Sequence, residues 1–355
     1  MSRIVKEEYG VLMREAQRKG RCLVANCPSM RKQLKRMLAR GELVSPIKGL
    51  YADPDHWRGL SAAQRHLFIA RALHELHPDW VFSHFTAATA YGLSVSFAQM
   101  ATVHRVSRRG SRADRTPDIV CHISRGFERS YENGIPVTSF EQTVVDCLCG
   151  SEFLQGVAIA DSALRVSGMT SMQLCELLDG YCPHGNRGVV TARRAAAFAD
   201  GRSESGGESI ARAVMAEFGF LLPELQVEMD DPLERRRRYR ADFLWTLPDG
   251  SQVIGEFDGR EKYVNPEMTG GRDVVDVLAD ERLRESRISA CGAPIMRFSY
   301  RDVCDRRFFD RLLRTFRIPH VMRTLDGRSW VETGASSLRL NGEVFPFRYF
   351  SPKAA

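Results

Sequence analysis

The chain has 355 residues, 43% of them apolar and 27% charged, the balance of an ordinary globular protein with material for two or three domains. Fifty-one Lys and Arg oppose 44 Asp and Glu, a net charge of +7 that leans toward polyanionic partners without deciding the matter. No apolar run reaches the length of a membrane span, and the opening MSRIVKEEYG lacks the apolar core of a signal peptide, so the expectation is a soluble, cytoplasmic protein.

The front region runs to about residue 55. In SMRKQLKRMLARGEL, Met30, Leu34, Met37 and Leu38 recur close to helical spacing, with Ser29 placed to cap the helix and Gly41 to end it. ELVSPIKGLYA then alternates around a Pro-Ile-Lys-Gly turn, as two short strands would. A basic helix followed by a two-stranded wing is the pattern of a winged helix-turn-helix. Arg31, Lys32, Lys35, Arg36 and Arg40 crowd the helix and Lys48 sits in the wing, a set suited to major-groove entry with backbone contact, or to a solvated basic face.

The middle region, 56–200, reads as α+β. LSAAQRHLFIARALHELHP and SHFTAATAYGL are helices, the second with Ser83 as its cap. ATVHRVSRR, DIVCHIS and NGIPVTS are strands, and FEQTVVDCLCG, VAIADSALRVSG and VVTARRAAAFAD return to helix. The stretch RVSRRGSRADR, with Arg105, Arg108, Arg109, Arg112 and Arg115, is a disordered loop or a second phosphate contact. Nine cysteines, none spaced Cys-x-x-Cys, read as free buried thiols in a reducing compartment. Cys182 and His184 in YCPHG are a metal pair or two structural side chains. The nine histidines are scattered and none is assigned to chemistry, and neither a Gly-x-Ser-x-Gly elbow nor a Walker loop occurs.

The third region, 201–322, opens with GRSESGGES and continues as a helix (ESIARAVMAEFGF), three strands (LQVEMD, RRYRADFLWTL, QVIGEFDG), a helix over roughly 274–290 and a strand (APIMRFSY). That order predicts a mixed sheet flanked by helices. The tail, 323–355, is left unassigned. The acids fall at informative places: Glu208 opens the first helix, Asp242 lies in ADF, and Glu256 and Asp258 end QVIGEFDG. Carboxylates converging from neighbouring strand ends repel and raise each other's pKa unless a cation joins them, and Mg²⁺ takes one or two carboxylates plus waters and phosphate oxygens. The bland alternative is that the acids cap strand ends and pair with the run Arg235, Arg236, Arg237 and Arg238.

Over residues 203–318 these motifs resemble the PD-(D/E)xK nuclease core, and more closely the small endonuclease-like domain related to very-short-patch-repair enzymes. The carriers are the Glu208 helix, ADF, EFDG, the segment with Arg282, Arg284 and Glu285, and IMRF with Arg297. The resemblance implies that Asp242 and Glu256 hold Mg²⁺ or Mn²⁺, with Glu208 beside them. The family's lysine two residues after the second acid is here Asp258; Lys262 could replace it, Asp258 could become another ligand, or the site could be degenerate. Over 25–200, RKQLKRMLARGELVSPIKGLYA, SHFTAATAYGL and GIPVTSFEQTVVDCL resemble AbiEi-family antitoxins of type IV toxin–antitoxin systems. That likeness implies a promoter-binding winged helix, with double-stranded operon DNA and a cognate toxin as partners. The two likenesses together make the expectation a multidomain α/β protein: an antitoxin-like transcriptional regulator with a nuclease-like C-terminal domain or, alternatively, an active metal-dependent endonuclease.

Overall fold

The computed structural model describes residues 3–108, 117–124, 126–182, 187–231, 238–258, 292–323 and 330–331. The fold is mixed α/β. The chain divides into two compact units, Met1–Gly201 and Arg202–Ala355. The front region is not a separate unit.

The first unit starts with α1 (Arg3–Arg18), β1 (Leu23–Val24), α2 (Pro28–Ala39) and β2 (Leu50–Tyr51). β1 pairs antiparallel with β2, and a bridge between Val44 and Ala52 closes the loop that carries Lys48. Cys27, not Ser29, caps α2: its sulfur accepts the Met30 N–H and Pro28 takes the first turn, where a missing N–H costs nothing. Gly41, at φ +72°, ends the helix as the spacing expects. Met30 and Leu34 are buried with Leu23, Leu43 and Tyr51.

Next come α3 (Pro54–Gly59), α4 (Ala62–Leu76), β3 (Val81–Phe82), α5 (His84–Ala90), β4 (Val103–Ser107), β5 (Ile119–Ile123), β6 (Arg129–Glu132) and β7 (Ile135–Thr138). The five strands form one sheet in the order β5-β4-β3-β7-β6, parallel at β4–β5 and β3–β7 and antiparallel elsewhere. Phe68 and Leu73 of α4 pack in one core with Cys22, Leu50 and Ala52, which is why the front elements belong to this unit. Four helices complete it: α6 (Phe140–Cys149), α7 (Phe153–Ser167), α8 (Ser171–Tyr181) and α9 (Val189–Phe198).

The second unit holds α10 (Gly206–Phe218), β8 (Glu224–Asp230), β9 (Arg238–Thr246), β10 (Gln252–Asp258), β11 (Ile295–Ser299), α11 (Tyr300–Cys304), α12 (Arg306–Thr315), β12 (Met322–Arg323) and β13 (Trp330–Val331). β8 to β11 form a sheet in sequence order, antiparallel until the last pair, which is parallel. One side carries Phe243, Trp245 and Phe298, with Phe257 edge-on to Phe298. Gly255 is required there: a Cβ would lie 2.7 Å from the Trp245 ring. Among the described residues no helix is long and apolar enough to cross a membrane. The helix expected over 274–290 and the tail beyond residue 331 lie outside the described residues.

Candidate functional site

Three polar groupings stand out, and the first is the outer side of α2. Met30 and Leu34 turn inward, so the helical period carries residues 31, 32, 35 and 36 to the opposite side. Arg31, Lys32, Lys35, Arg36, Arg40 and Lys48 are all exposed. Arg40 is tied to Glu42 at 2.7 Å, whereas the other five have no carboxylate partner among the described residues. The second basic stretch behaves differently. Arg105 is buried with its guanidinium 4.4 Å from the Trp80 ring, and Arg108 lies over Phe127. Arg109, Arg112 and Arg115 lie outside the described residues.

The second grouping answers why β10 ends in Glu-Phe-Asp. Strand alternation sends Phe257 to the aromatic side and Glu256 and Asp258 to the other. The β9–β10 ladder closes at Gly255–Phe243, so the next positions, Asp242 and Glu256, come abreast where the strands part. Asp242 Oδ2 accepts the Phe257 N–H at 2.9 Å, a donor the ladder no longer pairs. On the other side, Gln226 of β8 falls between the pairs Leu225–Phe243 and Val227–Ala241 and so faces Asp242. Glu256 is in register with Arg297 of β11. Gln226, Asp242, Glu256 and Arg297 therefore form one row across four strands.

Glu208 joins the row from α10. It is buried, and its carboxylate accepts from Ser205 Oγ at 2.7 Å, the Glu204 N–H at 2.9 Å and Gln226 Nε2 at 3.0 Å. The same Gln226 nitrogen lies 3.4 Å from Asp242 Oδ1, so one amide holds two carboxylates together. Burial pushes the Glu208 carboxyl above its ordinary value, and the Asp242 charge adds to this against the opposing hydrogen bonds. Gln226 adopts φ +53°, a left-handed backbone that side chains rarely take and that breaks the ladder at this point. Its Oε1 is buried with no hydrogen-bond partner among the described residues. Asp258 lies 3.5 Å from Arg297 Nη1. Arg238, the one described member of the arginine run, pairs with Glu228 and Asp230 and not with the row. Lys262, Arg282, Arg284 and Glu285 lie outside the described residues.

The third grouping was invisible in the sequence. His66 from α4, His84 from α5, His104 from β4 and His122 from β5 gather beside Asp146 of α6. His84 stacks on His122 with ring centroids 3.4 Å apart, and His104 Nδ1 lies 2.9 Å from His122 Nε2. Thr86 Oγ1 accepts the His104 N–H at 2.8 Å and donates to His66 Nε2, because His66 Nδ1 faces the Met100 carbonyl at 2.9 Å and must carry the proton. Asp146 Oδ2 is 3.7 Å from His84 Nδ1. Burial lowers all four imidazoles, His66 and His104 to about 4 and His84 to about 2, where neighbouring His122 and His104 also contribute. Burial also raises Asp146 to about 6. Among the described residues, no group of three His, Cys, Asp or Glu side chains is placed to hold a metal ion.

Sequence reasoning missed Gln226 and these histidines. Gln226 carries no local signal, being one amide in a strand. His104 and His122 could have been paired only through the β4–β5 register, in which His104 faces Val120 and Val106 faces His122.

No family model matches the chain, and no solved structure does. It is similar to two uncharacterized proteins of Mycobacterium tuberculosis, from strains CDC 1551 and H37Rv, each 30% identical over 181 residues. The matched part is 51% of this chain and spans 63% of each relative.

Proposed function

We propose that the chain is a DNA-binding, antitoxin-like transcriptional regulator whose second unit has a nuclease-like fold. The observation that carries this reading is the outer side of α2, where Arg31, Lys32, Lys35 and Arg36 are exposed with no carboxylate partner among the described residues. In a winged helix arrangement α2 enters the major groove and Lys48, in the loop closed by Val44 and Ala52, meets the phosphate backbone. Such contacts release counterions, so affinity falls steeply with salt. Five cations on phosphate give a log–log slope of about −4 to −5. The partners in this reading are double-stranded operon DNA and a cognate toxin.

Gel shifts on double-stranded DNA over a range of salt test the proposal. Changing Arg31, Lys35 and Arg36 together to Ala should weaken binding and flatten the slope by about 3. An unchanged slope in a variant with the wild-type circular dichroism spectrum would sink it.

A second reading, a metal-dependent endonuclease, is favoured by the row in the second unit. Asp242 and Glu256, adjacent in the row where β9 and β10 part, are the donors that would hold Mg²⁺ or Mn²⁺. The ion would supply charge neutralisation and water activation for phosphodiester hydrolysis. Glu208, buried beside Asp242, would hold a proton or orient water. Plasmid cleavage that needs the divalent ion and vanishes in Asp242→Ala, Glu256→Ala would favour this reading; intact plasmid beside a normal gel shift would favour the first.

A further inference from the structure

We infer that Cys149 and Cys182 are an oxidation site that closes to a disulfide by exchange with a low-molecular-weight disulfide. Both are free thiols, and their sulfurs lie 3.5 Å apart. Closing to an S–S bond of about 2.05 Å needs sulfur travel of roughly 1.5 Å, within reach of a small side-chain rotation.

The fold holds the two ends of this bridge together by independent means. Cys149 is the last residue of α6, and Cys182 follows the last turn of α8. Arg193 of α9 pins the α8 end: it pairs with Asp179 and donates to the Cys182 carbonyl at 3.4 Å. Gly188, which begins α9 at φ +81°, lies against the backbone of Cys149 so closely that a Cβ would be 2.0 Å from the Cys149 carbonyl oxygen. Three helix ends pack at one place, which keeps the backbone that carries each sulfur close to the other. Cys149 is half-buried and Cys182 is buried, so Cys149 is the more accessible of the two to a small reagent.

The Cys149 thiolate attacks one sulfur of RS–SR and expels RS⁻. The Cys182 thiolate then attacks the Cys149 sulfur and expels the second RS⁻. The cysteines lose two protons and two electrons, and the small disulfide leaves as two RSH. Burial, reinforced by Cys182 and Asp146, pushes the Cys149 thiol up to about 12. Exchange therefore speeds up well past the pH at which an ordinary exposed cysteine levels off, near 8.5.

The test treats the full reduced chain with oxidised glutathione at about pH 9, followed by acid quench, alkylation and non-reducing peptide mapping. Cys27 and Cys304 are exposed and report that the oxidant is active by taking up glutathione. The expected result is a peptide linking Cys149 to Cys182, absent in Cys149→Ser and in Cys182→Ser. The oxidised wild type should also melt several degrees above the reduced chain. The inference is overturned if Cys27 and Cys304 are glutathionylated while Cys149 and Cys182 are recovered as free thiols or as mixed disulfides, or if either links to another cysteine. The wild-type map decides by itself should a serine variant fail to fold.

Discussion

Among the described residues, each compact unit carries a buried ionisable cluster, and the two solve the problem of burial in opposite ways. In the first unit, burial depresses His66, His84, His104 and His122, the neighbouring imidazoles add to this at His84 and His104, and hydrogen bonds to Thr86, Thr102 and Met100 use the neutral tautomers. In the second, two carboxylates share donors. Asp242 takes a backbone N–H from Phe257, and the Gln226 amide bridges it to Glu208. A cluster held neutral is vulnerable to acid; one held by sharing donors is vulnerable to an added carboxylate.

The largest consequence is a divergent response to pH. His66 and His104 titrate at about 4 in the folded chain and His84 at about 2, against an ordinary 6.5. The unfolded chain therefore binds protons on them as pH falls through 6.5, and the folded chain does not. Their contribution to stability is fully present above 6.5 and is lost on acidification. Asp146, raised from 3.8 to about 6, acts the other way, because the folded chain holds its proton more tightly. Three imidazoles outweigh one carboxyl, and the first unit should lose about 4 kcal/mol between about pH 7 and 5. Glu208, with a raised folded pKa, gains stability over the acid range. Hydrogen-exchange protection factors should fall in α5, β4 and β5 and hold in β9 and β10. Equal losses in both units would break the contrast, and His84→Gln should recover roughly 1–2 kcal/mol of it.

The complementary break falls on the second unit. Gln226→Glu is close to isosteric but places a third carboxylate where an amide donor held two together. The donor is lost and a like charge is gained in a half-buried site, so the variant should be destabilised by about 2–3 kcal/mol at pH 7. The loss should shrink as acid protonates the cluster. If the row accepts a divalent cation, Mg²⁺ or Mn²⁺ should also restore the melting temperature. Urea unfolding at two pH values, with and without the ion, measures each part. A penalty that does not change with pH would mean that the effect is steric.

How much of this could be read from the chain depended on how local each feature is. The basic side of α2 was legible because one helical period sorts Met30 and Leu34 from Arg31, Lys32, Lys35 and Arg36. Glu256 and Asp258 were legible as neighbours on one strand side because alternation alone separates them from Phe257. The cap of α2 was misplaced by two residues, since Cys27 rather than Ser29 has the extended backbone that caps require, and a cysteine is not a residue that draws the eye there. Gln226 and the histidines were illegible for a deeper reason. Gln226 matters only because β8 lies beside β9 and takes a left-handed turn of backbone, and four elements must assemble before the histidines meet. No window of sequence contains either fact.

The smallest expected effect separates stability from chemistry in the same row. Glu208 is a buried carboxyl beside Asp242, and its charged form already works against burial. Glu208→Gln keeps the shape and, with its oxygen in the Oε2 position, an acceptor for the Glu204 N–H; the Ser205 hydroxyl loses its acceptor at Oε1, and the repulsion from Asp242 is removed. Gln226 can donate to the new amide oxygen as it did to the carboxylate. Lost charge-assisted hydrogen bonds and relieved repulsion should nearly cancel, leaving stability at pH 7 within about 1 kcal/mol of wild type. Asp242→Ala should cost about 1–3 kcal/mol, because it strands the Phe257 N–H at the point where the ladder opens. Chemical denaturation of the two variants orders them. If Glu208→Gln proved the costlier, a carboxylate at position 208 would be holding the row together, and the donor shared through Gln226 would not be what joins Glu208 to Asp242.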